Sequence, residues 1–282
     1  MRSPIHRAVL RSLNHVGDDD YTAAVFTEHG VLPVLRACRD LLGKRQLHVV
    51  HPTSCFLVGF RFSSASEALR GEVYGAAPRL LAPSLRRLLK ARECLTRRLA
   101  IFTIGQLRLR SEAKSLRRVF PWYVKHDPLG LPDLLLELGW LHDARGVSAR
   151  LRRMVRDPSF IVRWAALGYN DHVAVERRGA YRRERVSLLS HLTRDEVPAI
   201  AAEAQYQLDE LRREAREPAP NWNEPAAARE RRIKASLARQ PPLTFTSLEI
   251  QFHNRLSERR QRDYTPAELA NFARAQGAFD PQ

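Results

Sequence analysis

The sequence predicts an all-α protein, an α-solenoid of helical pairs that ends in an extended C-terminal helical tail. Three observations carry that expectation. Apolar residues recur at helical spacing from the start of the chain to about residue 214, and convincing strand alternation is absent. The turns between these stretches are short clusters of Gly, Pro, Asp and Asn. One helical layout also repeats after 38 residues, between the segments that begin at Asp157 and Asp195. The expected organisation is a basic amphipathic helix over 1–17, a helical-repeat solenoid over 18–214, and a Pro-rich linker with a docking tail over 215–282.

Taken in order, residues 1–17 carry Arg2, Arg7 and Arg11, two serines, two histidines and no acid. Read as a helix, Ile5, Val9, Leu13 and Val16 form one stripe, with Arg7, Arg11 and Asn14 opposite. Mitochondrial presequences are built this way, and an uncleaved targeting segment is one reading. An ordinary first solenoid helix with a polar outer face has the same pattern. Next come helices over 31–42 and, as one long amphipathic element, 84–102. In the latter, Leu85, Leu88, Leu89, Leu95, Leu99 and Phe102 are the expected buried stripe. Residues 44–82 fit no repeat. Within them, 47–50 and 56–62 look β-like, although a buried helix has the same composition. Further helices are expected over 132–141, 148–155, 160–169, 184–192 and 197–214.

Beyond residue 214 the character changes. Residues 217–225 hold three prolines and Trp222, a linker composition. A charged helix over 226–238 should stop at Gln240-Pro241-Pro242. Two short helices follow, over 247–262 and 265–276, the second opened by Thr265-Pro266 with Glu268 in capping-box position. Phe245, Phe252, Tyr264, Phe272 and Phe279 are spaced too far apart to build a core alone, so the tail is expected to dock on the body or on neighbours.

The segment Asp157-Pro158-Ser159-Phe160-Ile161-Val162-Arg163-Trp164-Ala165-Ala166 resembles the first helix of a HEAT repeat. Asp195-Glu196-Val197-Pro198-Ala199-Ile200-Ala201-Ala202-Glu203-Ala204 repeats it, pairing Asp157 with Asp195, Val162 with Ile200 and Ala166 with Ala204. An N-terminal Asp caps free N–H groups, and alanines let the next helix approach closely. Glu28-His29-Gly30-Val31-Leu32-Pro33-Val34-Leu35 resembles the Gly-x-x-Pro opening of armadillo repeats, and Gly130-Leu131-Pro132 does so one residue short. These resemblances imply an architecture and no activity.

Charge is the other strong feature. Forty-seven Lys and Arg face 31 Asp and Glu, a formal net charge of +16, which attracts polyanions. GC-rich coding explains a preference for Arg over Lys, but not the excess of base over acid. Residues 79–120 hold twelve bases and two acids, a net of +10 over 42 residues. The expected polyanion-binding residues are Arg79, Arg86, Arg87, Lys90, Arg97, Arg98, Arg108, Arg110, Lys114, Arg117 and Arg118, with Arg92 beside them. Arg177-Arg178 and Arg182-Arg183-Glu184-Arg185 form a second cluster. With no aromatics interleaved in sequence, the pattern points to backbone contact and not base readout.

Catalytic patterns are thin. His48, His51 and Cys55 supply three potential metal ligands but no fourth. There is no Walker loop, nucleophile elbow, dinucleotide fingerprint or zinc-protease helix, and no cofactor is expected. Cys38, Cys55 and Cys94 have no disulfide spacing, and the longest apolar run, about 55–60, is far too short to span a bilayer. Basic helical solenoids also include HEAT-like alkylpurine DNA glycosylases, for which Trp140, Asp143, Arg163 and Trp164 are residues of the right types. The sequence-level expectation is a non-catalytic, RNA-contacting architectural subunit of a large mitochondrial assembly, foremost the mitochondrial ribosome, with ribosomal RNA and several protein subunits as partners. The alternatives are a supernumerary subunit of an inner-membrane complex, its basic face on anionic lipid, the glycosylase, and a free-standing scaffold or adaptor.

Overall fold

A computed structural model describes residues 3–15, 18, 20–169, 178–214, 216, 225–259, 261 and 263–280; for residues 178–181, 214, 232 and 236 it describes the backbone alone. All regular structure among the described residues is helical. The chain divides into two units, Met1–Val147 and Ser148–Gln282.

The first unit opens with α1, Pro4–Leu10, capped by the Ser3 hydroxyl, and a 3-10 turn over Arg11–His15. The tighter winding breaks the predicted stripe: Val9 is fully buried, whereas Leu13 is exposed. Val16 lies outside the described residues. The segment is nevertheless tied in. The Ser12 hydroxyl donates to the Pro52 carbonyl (2.7 Å) and the Tyr21 hydroxyl to that of Ala8 (2.7 Å). α2, Tyr21–His29, and α3, Val31–Gly43, meet at Gly30, whose φ of 78° is open to glycine and costly for other residues.

α4, Leu47–Phe62, settles the β-like stretch as helix. It packs against α1, α2, α3 and α6 (Cys94–Gln106), so Val49, Val50, Phe56, Leu57 and Phe60 are all fully buried. A helix buried on nearly every side has no polar face and hence no visible period. Phe26 meets Phe56 and Phe60 at 5.5 and 4.9 Å between ring centres. α5, Glu67–Leu88, carries Pro78 and Pro83 in its interior, which hid it from a reading that treats Pro as a breaker.

The expected single helix over 84–102 is corrected: α5 ends at Leu88 and α6 begins at Cys94. Arg97 turns inward and donates to the carbonyls of Leu89 (2.7 Å) and Ala91, satisfying groups that the break leaves without helical partners. The register therefore changes, and Leu95 and Phe102, placed on the buried stripe, are 39% and 41% exposed. α7, Ala113–His126, and α8, Leu131–Trp140, follow. Packing runs in series, α2 on α4, α4 on α6 and α6 on α8, with α3 on α5.

Glycines in this unit give opposite predictions. Gly71 and Gly75 lie in α5 with open space where a Cβ would stand, so each changed to Ala should stabilise by about 0.5–1 kcal/mol. Gly105 in α6 faces Glu137, whose Oε2 would lie 1.7 Å from an added Cβ. Gly105→Ala should therefore cost about 2–3 kcal/mol. Urea denaturation of the three variants checks both signs.

α9, Ala144–Met154, spans the division between the units. The second unit holds α10, Phe160–Gly168; α11, Arg178–Leu192; and α12, Pro198–Glu214. The 38-residue correspondence is visible in detail. Asp157 accepts from the Ser159 N–H and Asp195 from the Val197 N–H, both at 3.0 Å, each three residues before its helix begins. Val162 and Ile200 are fully buried, as is Ala204, with Ala166 nearly so. Arg163 joins the two turns, forking onto Asp195 (2.6 and 3.0 Å) and donating to the Asp157 carbonyl (3.0 Å).

Residues 217–224 of the expected linker lie outside the described residues. α13, Ala226–Leu237, is exposed at every described side chain but one. α14, Phe245–Glu258, and α15, Pro266–Ala275, both pack on α10 and on each other. Both open with capping boxes, Thr244 with Ser247 and Thr265 with Glu268. Phe245, Phe252 and Phe272 are buried, and the Ala199 N–H donates to the Ala278 carbonyl (3.1 Å). The sparse aromatics of the tail thus complete a core that α10 begins.

Candidate polyanion-binding face

Which cations face solvent follows from which neighbours on each helix are buried. On α5, burial of Ala77, Leu81, Leu85 and Leu88 leaves Arg79, Arg86 and Arg87 outside. On α7, Leu116, Phe120 and Tyr123 point inward, leaving Lys114, Arg117 and Arg118 exposed. Lys90 and Arg92 are exposed in the break after α5, and Arg108 and Arg110 in the turn after α6. Arg86 pairs with Glu112 (3.2 Å), which brings the side of α5 onto the turn that carries Arg110 and leads to Lys114. Arg117 pairs with Asp143 (3.3 Å).

Two of the eleven predicted residues are committed to the interior. Arg98 forks onto Asp127, whose side chain is fully buried, with its Nε at 2.8 Å. Arg97, besides holding the helix break, lies 3.8 Å from the centre of the Trp122 ring. No ion pair involves Arg79, Arg87, Lys90, Arg92, Arg108, Arg110, Lys114 or Arg118 among the described residues. Eight exposed cations without a neutralising acid in one unit repel one another, and an anionic partner relieves that cost.

The second cluster is mostly structural. Arg185 donates to the Tyr169 carbonyl (3.0 Å) and to Gln207 (2.7 Å), and Arg182 donates to the Leu211 carbonyl. Arg183 is exposed; Arg177 and the Arg178 side chain lie outside the described residues.

Each unit also contains a buried carboxyl. In the first, Glu137 on α8 accepts from Gln106 at 2.8 and 3.0 Å, and burial pushes it up to about 8 against those hydrogen bonds. It is therefore mostly uncharged at neutral pH. Gln106 in turn accepts from Arg61, whose guanidinium lies 4.0 Å from the centre of the Trp140 ring.

In the second unit, Glu203 on α12 accepts from the Trp164 indole N–H (2.6 Å), the Phe245 backbone N–H (2.8 Å) and Gln207 (3.2 Å), tying α10, α12 and α14 together. Burial raises it to about 7. The folded unit thus holds its proton where the unfolded chain has released it. Stability should fall as pH rises from about 4.5 to 7 and level off above, by a few kcal/mol at most. Urea denaturation at pH 5 and pH 8 should show this loss in the native chain and a smaller one in Glu203→Gln.

His48 and His51 are exposed on α4 and Cys55 is half-buried; no group of three potential metal ligands occurs among the described residues. Asp143 accepts from the Gly146 N–H (3.2 Å) at the start of α9, and Trp164 is fully buried on Glu203. No helix of the described residues is long and apolar enough to cross a membrane. No protein-family model, curated protein or solved structure matches the chain.

Proposed function

We propose that the protein is a non-catalytic architectural subunit that contacts RNA within a large mitochondrial assembly, foremost the mitochondrial ribosome. The observation that carries this reading is the set of exposed cations over residues 79–118 that no acid neutralises. Phosphate groups are the complement of such a surface, and binding to it releases counterions. The serial packing of α2, α4, α6 and α8, and of α10 on α12, supports a HEAT- or armadillo-like solenoid, an architecture suited to holding several partners at once. The acid-free N-terminal segment supports delivery to the mitochondrial matrix. Its contacts through Val9, Ser12 and Ala8 favour a segment that stays with the folded protein after import.

The test is native purification from mitochondria. The protein should sediment with a ribonucleoprotein particle and leave it after RNase treatment. Co-migration with a detergent-solubilised respiratory complex, insensitive to RNase, would overturn the reading in favour of an anionic-lipid surface. Release of a methylated purine from duplex DNA, lost in Asp143→Asn, would overturn it in favour of the glycosylase.

A further inference from the structure

The C-terminal ends of α4, α6 and α8 bring together residues that lie far apart in sequence. The Arg61 guanidinium lies over two aromatic rings, 4.0 Å from the centre of Trp140 and 5.5 Å from that of Phe62. Phe62 is 59% exposed and Trp140 is half-buried, so both rings border solvent. The Arg61 guanidinium is fixed from behind by Gln106, which Glu137 fixes in turn. Arg108 is close enough that its charge bears on Arg61, and it is itself exposed. Burial pushes the Glu137 carboxyl up to about 8, which weakens its opposition to the charge of Arg61 at neutral pH.

Two backbone features border the cluster. Arg108 and His142, just past the ends of α6 and α8, adopt φ values of 52° and 61°, a conformation costly for residues other than glycine. Both close their helices as Schellman turns, the Leu109 N–H donating to the Ile104 carbonyl and the Asp143 N–H to that of Leu138, each at 3.0 Å.

We propose that Phe62, Arg61 and Trp140, with Arg108 beside them, form a stacking platform for unpaired RNA bases. Planar groups at fixed positions and an exposed cation that no acid pairs among the described residues are what a nucleotide offers to satisfy: a base face for the rings and guanidinium, and a phosphate for Arg108. An exposed aromatic ring has no use for a paired duplex, whose base faces are already covered. Anionic lipid would meet the charge, but not the stacked geometry. This inference rests on the RNA-contacting reading and refines it, adding base contact to backbone contact.

The experiment measures binding of the full chain to a short labelled oligouridylate and to an RNA duplex of equal length, at several salt concentrations. Phe62→Ala should weaken oligouridylate binding by about 5- to 100-fold, leave the duplex unaffected, and keep the salt dependence; Phe62→Tyr should restore it. Arg108→Gly suits the backbone at that position. It should weaken both RNAs and lower the salt slope by about 0.7–0.9. If the native chain binds RNA and Phe62→Ala binds oligouridylate equally well, the platform is refuted while the RNA reading stands. It is likewise refuted if Phe62→Ala loses affinity for cardiolipin-containing phosphatidylcholine vesicles instead. If the native chain binds neither RNA, both readings fail.

Discussion

Asp127→Ala is expected to destabilise the first unit by about 3 kcal/mol, because it leaves the Arg98 guanidinium mostly buried without its counterion. Asp127 is fully buried between α7 and α8, and the Arg98 side chain is only 16% exposed. The two groups form a forked pair whose carboxylate also lies against the backbone of Gly130. Arg98→Ala should cost a similar amount for the converse reason, a buried carboxylate that has lost its forked guanidinium. The double variant should cost less than the sum of the singles, since neither charge is then stranded. In a unit of this size the single change should lower Tm by roughly 6–12 °C. A fall of a degree or less would mean that Arg98 is free to leave Asp127 and serve a ligand.

The second large effect is on binding. Reversing Arg87, Lys90, Arg110 and Lys114 together to Glu should weaken RNA binding by at least about 100-fold and reduce the slope of log affinity against log salt by roughly 3. All four are exposed and make no ion pair among the described residues, so their loss should leave the fold and its melting temperature intact. A variant with the same charge change elsewhere separates a local site from net charge alone. Arg183, Arg229, Arg231 and Arg259 are exposed in the second unit, and reversing them should cost much less. Equal losses in the two variants would mean that the overall field, and no particular face, attracts the RNA.

Much of the helical order was legible in the sequence where one face of a helix is wet. α3, α8, α10 and α12 lie close to their expected bounds, and the capping box of α15 stands where Thr265 and Glu268 put it. The failures share a cause, tertiary context overriding local pattern. α4 is enclosed by four helices and shows no period. The break between α5 and α6 depends on Arg97 reaching back to Leu89 and Ala91, which a run of leucines conceals. The tail aromatics look isolated because their partners sit on α10.

The charge excess was equally plain, but its division into spent and available cations was not. Arg97 and Arg98 are indistinguishable in sequence from Arg86 and Arg87 until Asp127, 29 residues beyond Arg98, is placed beside them. Phe62 and Trp140 stand outside the basic block in sequence, on α4 and α8, the helices that pack on α6.

The most direct test of the central claim is ultraviolet cross-linking of the protein in intact cells, with nucleotide-bearing peptides mapped by mass spectrometry. Adducts should fall within residues 79–118, together with Phe62 or Trp140 where an unpaired base is stacked. Abundant protein recovered with no nucleotide adduct in that segment, or with adducts confined to the second unit, would contradict the account.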